Sequence, residues 1–312
     1  MKKRSKFFYV IVIFFVLLIP KTDLQSASSP LKMCSKEEWE VLKLVNKQRR
    51  YAGMEELSVM ADLQKASETR ASEISKLFSH MRPNKKYWYT VLNKKNGYYD
   101  ICGENIASGQ TSAEQVVKEW IGSYGHKKNI LNRSFSHLGV GHYTGTNGYR
   151  QYWSQFFMGS CKPTSIFVLN GTKVKSYDAG TTVEQMDRVL VIKCKHGTGY
   201  VPISGYMCSG FTNNRTGTYK IKVKYKNKTA YFTVKIKANW IHSAKADPIY
   251  CRYYNGYFHK PKPILRINGK KLAESKDYIL SYRNNRNRGT GQIVITGRGN
   301  YRGSISLPFK II

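Results

Sequence analysis

Apolar positions along this chain recur with two different periods, and the change of period divides it. Ser35, Lys36, Glu37 and Glu38 form a capping-box pattern in which Ser35 caps and Glu38 reaches back. Trp39, Leu42 and Val45 follow at helical spacing with Val41 and Leu44 beside them, predicting a helix to about Arg50, ended by Gly53. A second helix is predicted from about Ser58, carrying Leu63, Ala66, Arg70, Ile74 and Leu77. Ser112, Ala113, Glu114 and Gln115 repeat the capping box and open a helix with Val116, Val117, Trp120 and Ile121. Residues 137–143 and 149–157 then read as strands around a loop at 145–148. Helices with late strands predict a layered domain of mixed α and β structure.

Past Cys161, Lys162 and Pro163 the period becomes two. Residues 166–169 and 172–174 flank Asn170 and Gly171, predicting a hairpin with a type I′ turn. Residues 217–225 alternate apolar side chains with Lys, and residues 230–236 alternate again, predicting a half-buried antiparallel hairpin with one basic face. Residues 239–312 repeat this texture: Asn255–Gly256 and Asn268–Gly269 are read as hairpin turns, and residues 289–295 parallel residues 217–223. The expected organisation is an α/β domain over 34–161, an all-β sandwich module over 163–238 and a second, basic β module over 239–312.

Residues 1–6 are rich in Lys and Arg, residues 7–19 are apolar, and small residues follow at 26–29. That order predicts a secretory signal peptide over 1–27, cut near Ala27 or Ser28; an uncleaved anchor is the alternative, although 13 apolar residues are short of a membrane span. The protein is thus expected to be secreted or extracellular and associated with the cell surface.

Charge sharpens the division. The 312-residue chain carries a formal net charge of +33. Residues 28–161 hold 19 basic and 12 acidic side chains, whereas residues 162–238 and 239–312 each hold 14 basic and 3 acidic ones. Two modules so unbalanced are expected to meet polyanions: anionic cell-wall polymers or a membrane surface, with nucleic acid the runner-up, which secretion counts against as the biological partner. Tyr250, Tyr253, Tyr254 and Tyr257 offer sugar-stacking faces, with some of them expected in the core.

Several segments, in order, resemble a known family. Ser79, His80, Met81, Arg82 and Pro83 are similar to the SHxRP segment of the CAP superfamily, which groups cysteine-rich secretory, antigen 5 and pathogenesis-related 1 proteins. Gly103, Glu104, Asn105, Ile106 and Ala107 resemble its GENIA motif. Residues 116–120 with 125–131, and the strands at 137–141 and 152–156, resemble its remaining segments, in the version of secreted bacterial (SCP-like) members. The resemblance implies an α-β-α sandwich with a central groove. It also implies that His80, Glu104, Glu119 and His137 converge there as the family's two-His, two-Glu tetrad. On the chemistry of their side chains, His80 and His137 are the expected ligands of a divalent metal such as zinc. The ending of residues 163–238 resembles bacterial immunoglobulin-like (Ig-like) modules of surface proteins, and residues 278–303 resemble a repeat of clostridial-type surface proteins. The loop at 87–99, rich in Tyr, Lys and Asn, departs from the CAP pattern and is expected to give the groove its own rim.

Two imidazoles suit a divalent metal, and two Glu can orient them or act on a bound water; the same four can equally form a polar network that only holds the groove together. No two of them sit at a local ligand spacing. Ser79 and Ser136 lack the context of a catalytic nucleophile. His142, five residues from His137 on one strand, points to the other face, and His126 is read as helix-end surface chemistry. Among six cysteines, Cys194–Cys208 and Cys34–Cys161 are the expected disulfide pairs, Cys34–Cys102 is the alternative, and a thiol nucleophile at Cys102 is disfavoured outside the cell.

The functional expectation is an envelope-associated binding protein, its groove holding a metal, a small apolar molecule or a wall-derived one, and its β modules tethering it. A metal-assisted hydrolase of peptide or cell wall, and an adhesin or host-directed effector, are the alternatives.

Overall fold

The computed structural model describes residues 33–92, 101–146, 148–159, 161–195, 197–213, 215–267 and 269–312. The leader read at 1–27 and residues 93–99 of the rim loop lie outside these.

The first unit is built on a three-stranded antiparallel sheet, β2 (Cys102–Ser108), β4 (Gln151–Gly159) and β3 (Phe135–Thr144), with β4 central. Helix α1 (Lys36–Tyr51) begins at Ser35 with the full capping box. Helix α2 spans Ala61–Ile74, α3 Ala113–Gly122 and α4 Tyr124–Ile130. At α3 only half the box forms: Ser112 caps Gln115, whose side chain accepts from Thr111 instead. One sheet face packs on α1 and α3 through Trp39, Leu42, Val45, Val116, Trp120, Leu138, Val140 and Trp153. The other face packs on α2. There Gly139 and Gly141 leave no room for a Cβ, which would overlap the carbonyls of Leu63 and Ser67, so helix and strand meet backbone to backbone. The result is an α-β-α sandwich.

Residues 58–60, assigned by periodicity to the start of a helix, are extended. Val59–Met60 form strand β1, and the helix begins at Ala61. The reason is tertiary: β1 pairs antiparallel with β8 (Gly197–Pro202) of the second unit, Val59 opposite Tyr200 and Met60 opposite Gly199.

The second unit is a sandwich of two sheets. One holds β1, β8, β7 (Val189–Cys194) and β5 (Pro163–Val168); the other holds β6 (Lys175–Asp178), β11 (Lys228–Lys237), β10 (Gly217–Tyr225) and β9 (Cys208–Ser209). Leu190, Ile192, Val201, Ile221, Val223, Phe232 and Val234 fill the space between them. The hairpin expected around Asn170–Gly171 does not form. β5 pairs with β7, and the chain passes through left-handed Asn170 to join the opposite sheet as β6, parallel to β11. Two sheets with separate inner faces need such crossings, which a local turn signal cannot report. The β10–β11 hairpin forms as its alternation predicts, with Ile221, Val223 and Tyr225 inward and Lys220, Lys222 and Lys224 outward. Each outward Lys faces a Thr or Tyr across the ladder, which avoids like-charge pairs.

The third unit has its own core of Ile241, Leu265, Tyr278, Ile293, Ile295 and Phe309. Its main sheet is β16 (Tyr278–Arg283), β17 (Gly289–Gly297) and β19 (Ser304–Ile311). Short pairs complete it: β12 (Asn239–Trp240) with β18 (Tyr301–Arg302), and β13 (Lys245–Ala246), β14 (Leu265–Ile267) and β15 (Lys270–Lys271). Ile267 pairs with Lys270, as the turn read at 268–269 requires, although Asn268 itself lies outside the described residues. Asn255–Gly256 is no hairpin turn but part of an irregular, exposed loop.

Candidate functional site

An open groove of about 670 Å³ lies on the first unit, lined by Ser79, His80, Ile106, Ser108, Gln110, Glu119, Trp120, Ser123 and His126 among others. His80 and Glu119 are lining residues, and Glu104 lies buried just beneath. His137 is not among the lining residues.

A chain of ions sets the position of His80. Its Nδ1 meets Oε2 of Glu104 at 2.7 Å. The other carboxylate oxygen of Glu104 accepts from Nε of Arg70 at 2.7 Å, and Arg70 also donates to Glu73 and to the Ser79 carbonyl, both at 2.8 Å. Arg82 grips Glu73 with Nη2 at 2.6 Å and Nε at 2.9 Å. Arg70 is fully buried in α2, so its charge needs these partners. Burial alone would lower its pKa, but Glu104 and Glu73 outweigh burial and raise it. Burial likewise raises Glu73, and Arg82 and Arg70 outweigh it, leaving the carboxyl below its usual range. The SHxRP segment and the GENIA strand are thus clamped together by α2, and the clamp aims one imidazole into the groove.

A second network places His126. Asn105 donates from Nδ2 to the His126 carbonyl (3.1 Å) and to Gln155 (2.9 Å). Asn129 donates to the Glu104 carbonyl (3.1 Å) and to Oδ1 of Asn105 (2.9 Å). These amides tie α4 to β2 and bring His126 to the groove opposite its expected surface role. Burial first, and the neighbouring His80 second, hold the His126 pKa below its ordinary value, which favours the neutral imidazole. Glu119 is held by Gln110 and Gln115. Two buried polar atoms on the groove residues, Nε1 of Trp120 and Oε1 of Gln110, have no partner among the described residues.

His137 belongs elsewhere. It is buried on β3, with Nδ1 at 2.8 Å from the Ser58 hydroxyl, beside β1 and β8. Burial, and then the Lys226 charge, push its pKa down to about 4. It lies on the α2 side of the sheet with Glu104 but near the start of α2, whereas Arg70 and His80 gather at that helix's end. The pairing of His80 with His137 as metal ligands is therefore corrected: the structure separates them and puts His126 in the groove with His80. His142 lies on the opposite sheet face, stacked on Trp153 at 3.9 Å.

The disulfide is corrected as well. Cys161 is joined to Cys194, with Cα atoms 5.9 Å apart, and Cys34, Cys102, Cys208 and Cys251 are unpaired thiols. Cys194 ends β7 opposite Pro163, the first residue of β5, so the ladder delivers Cys161 to it. Cys208 instead pairs through its backbone with Val223, and burial pushes its thiol up to about 12; Cys34 is buried in the first core and also pushed up to about 12. Among the described residues, the three potential metal-ligand atoms within 4.8 Å of one another are those of His137, Cys161 and Cys194, two of them consumed by the disulfide. In the groove, His80, His126 and Glu119 have the donor types that suit zinc, in a more open arrangement.

Arg70, Asn105, His126 and Asn129 are the residues that sequence reasoning missed. Arg70 left a trace as a charge at a core position of a helix. Asn105 and Asn129 lie inside the recognised motifs, but only contact reveals that each serves the other.

Residues 42–157 match the model of the cysteine-rich secretory protein family, CAP, and residues 173–236 match that of the bacterial Ig-like domain, group 3. The YkwD protein of Bacillus subtilis is 32% identical over 136 residues, which cover 43% of this chain and 51% of that protein. The membrane protein YlbC of the same organism is 36% identical over 83 residues, covering 26% and 22%. The chain thus spans about half or less of these relatives. An extracellular protein with an SCP domain from Bacillus anthracis is 25% identical, with 43% of this chain and 44% of that one covered and a TM-score of 0.36. Among the described residues no helix is long and apolar enough to cross a membrane.

Proposed function

From the premise that the chain holds a CAP domain followed by a bacterial Ig-like domain, we propose that it is an extracellular binding protein whose groove takes a small ligand or a divalent cation through His80, His126 and Glu119. The observation that carries this is the clamp under His80. A buried carboxylate, itself locked by a buried Arg, fixes one imidazole on the lining of an open groove, as partners of metal-ligating or proton-bearing imidazoles do. The Trp120 N–H and the Gln110 carbonyl are buried beside the groove without a hydrogen-bond partner among the described residues. A bound cation would polarise a ligand oxygen; the protein's own residues bind, orient and hold Nδ1 of His80 against Glu104.

The basic face of β10–β11 and the excess of Lys and Arg beyond residue 162 support a second role, retention on an anionic surface. An oxidised Cys161–Cys194 pair and the basic-then-apolar N-terminus support a place outside the cytoplasm.

Calorimetric zinc titration tests the groove. At pH 7.5 the wild type should bind, His80→Ala and His126→Ala should abolish binding, and His137→Ala should retain it. At pH 5.5 binding should weaken, because ligating imidazoles must be neutral. A flat trace from the wild type at pH 7.5 removes the cation. Equal binding by His80→Ala moves it out of the groove.

A further inference from the structure

We propose that the irregular loop at 250–260 of the third unit, with Arg286 and Arg288, recognises a glycosylated sugar–phosphate polymer of a cell wall. This rests on the anionic-surface part of the function proposed above and names the residues and the chemistry.

Sequence reasoning expected some of the loop tyrosines in the core, and the structure exposes all of them. Tyr250, Tyr253 and Tyr257 are 76–77% exposed, Phe258 64% and Tyr254 45%. The same unit buries Tyr278 and Phe309, so it has the means to cover aromatic rings. Five bare rings within nine residues form an apolar patch of the kind that marks a binding surface. The loop is held in place without regular structure. Arg252 and Tyr254 donate backbone hydrogen bonds to Lys310 and Ile312, and the backbone and side chain of Asn285 grip His259 from both sides.

Cations stand over these rings. The Arg286 guanidinium lies 5.6 Å from the Phe258 ring and that of Arg288 lies 5.4 Å from Tyr254, while Arg286 Nε donates to the Gly256 carbonyl. Beside Phe258 opens a cleft of about 600 Å³ lined by Lys260, Lys262, Leu280, Tyr282 and Asn285. Its one carboxylate, Glu274, is bound by Lys262 at 3.0 Å. The other two acidic residues of the unit are engaged as well, Asp247 with Arg266 and Asp277 with the Ala273 amide.

The kind of cation separates this surface from that of the second unit. Residues 162–238 carry 12 Lys and 2 Arg, residues 239–312 carry 7 of each. Lys on a flat ladder acts as a point charge on any polyanion. Arg presents a planar fork that matches phosphate, and here it is braced on aromatic faces. A ring face next to a phosphate fork fits a phosphate polymer whose repeats carry a sugar. Single-stranded nucleic acid would use similar parts, but the Cys161–Cys194 disulfide fits a compartment outside the cell, where wall polymers are the abundant polyanion.

The test uses the full chain and four probes at 0.15 and 1 M NaCl: purified glycosylated wall teichoic acid, the same polymer stripped of its sugars, a single-stranded oligonucleotide, and phosphatidylglycerol vesicles. The wild type should bind the glycosylated polymer at least about tenfold more tightly than the stripped one and keep that preference at 1 M. Tyr254→Ala with Tyr257→Ala should erase the preference. Arg286→Lys with Arg288→Lys should weaken binding by about tenfold although the charge is unchanged. Replacing Lys220, Lys222 and Lys224 by Glu should weaken all probes alike and leave the preference intact. Equal binding of both polymers, or tighter binding of the oligonucleotide or the vesicles, overturns the proposal while leaving an anionic tether standing. No binding to any probe overturns both.

Discussion

His126 and His137 have opposite fates from those their local sequences suggest, because burial is decided by contacts from outside the segment. His126 sits in a Gly-His-Lys-Lys stretch that looks like solvent-facing helix, yet Asn105 and Asn129 pull it to the groove. His137 lies in an apolar strand and ends against Ser58 and the Cys161–Cys194 bridge. Its titration has a stability consequence. An unfolded His binds its proton near pH 6.5, whereas folded His137 does so only near 4. Between those values the unfolded state holds more protons, so stability is fully present above about pH 6.5 and falls as pH drops toward 4, by an amount on the order of 3 kcal/mol. Urea unfolding of the wild type at pH 7 and 4.5 should show this loss, and His137→Gln should be flatter across the same window. An equal acid slope in the variant would assign the loss to other groups.

At the scale of elements, the sheet and α2 approach so closely because β3 carries Gly139 and Gly141 where another strand would carry side chains. That contact brings Arg70 to Glu104, so the groove depends on two absent methyl groups. Gly139→Ala and Gly141→Ala are each expected to lower the unfolding free energy by about 2–3 kcal/mol, since the obstacle is helix backbone and cannot rotate away. Gly122→Ala, where a Cβ meets nothing within 4 Å, is the control and should be near neutral or slightly stabilising. Chemical denaturation of the three variants decides it. A Gly141→Ala as stable as the wild type would mean that α2 is free to retreat.

The whole molecule is joined through the first and second units. Strand β1 lends two residues to the sheet of the second, and Val191 and Tyr200 of the second enter the core of the first. Glu56, buried, bonds Ser204 at 2.7 Å and Arg50 at 2.8 Å, the Tyr225 hydroxyl donates to the Glu56 carbonyl at 3.0 Å, and Lys226 donates to the Cys161 carbonyl at 2.8 Å. Burial is the larger influence on Glu56 and raises its pKa despite these partners. A chain ending at residue 161 would lose the Ser204 and Tyr225 hydrogen bonds and uncover Met60 and the flank of the core. Its thermal midpoint should lie about 10 °C or more below that of a chain ending at residue 238, a shift worth several kcal/mol at this size. Coincident midpoints would mean that the first unit is self-sufficient.

Much of this was legible in the residues. Helical and two-residue periods, capping boxes and the CAP motifs determined the fold classes and their order, because each is a pattern confined to a few neighbouring positions. The same holds for His80, Glu104 and Glu119, which sit inside motifs, and for the Lys ladder of β10. The tertiary structure alone decided which histidine joins them, which cysteines pair, that 58–60 is a strand and that Asn170 leads across the sandwich. Each of these turns on a partner 21 or more residues away: Asn105 for His126, Cys194 for Cys161, Tyr200 for Val59, and β11 for β6. A local pattern states what a segment can become. The long-range partner that buries it decides what it is, since an unpaired polar group or an open strand edge inside a protein costs more than any local preference supplies.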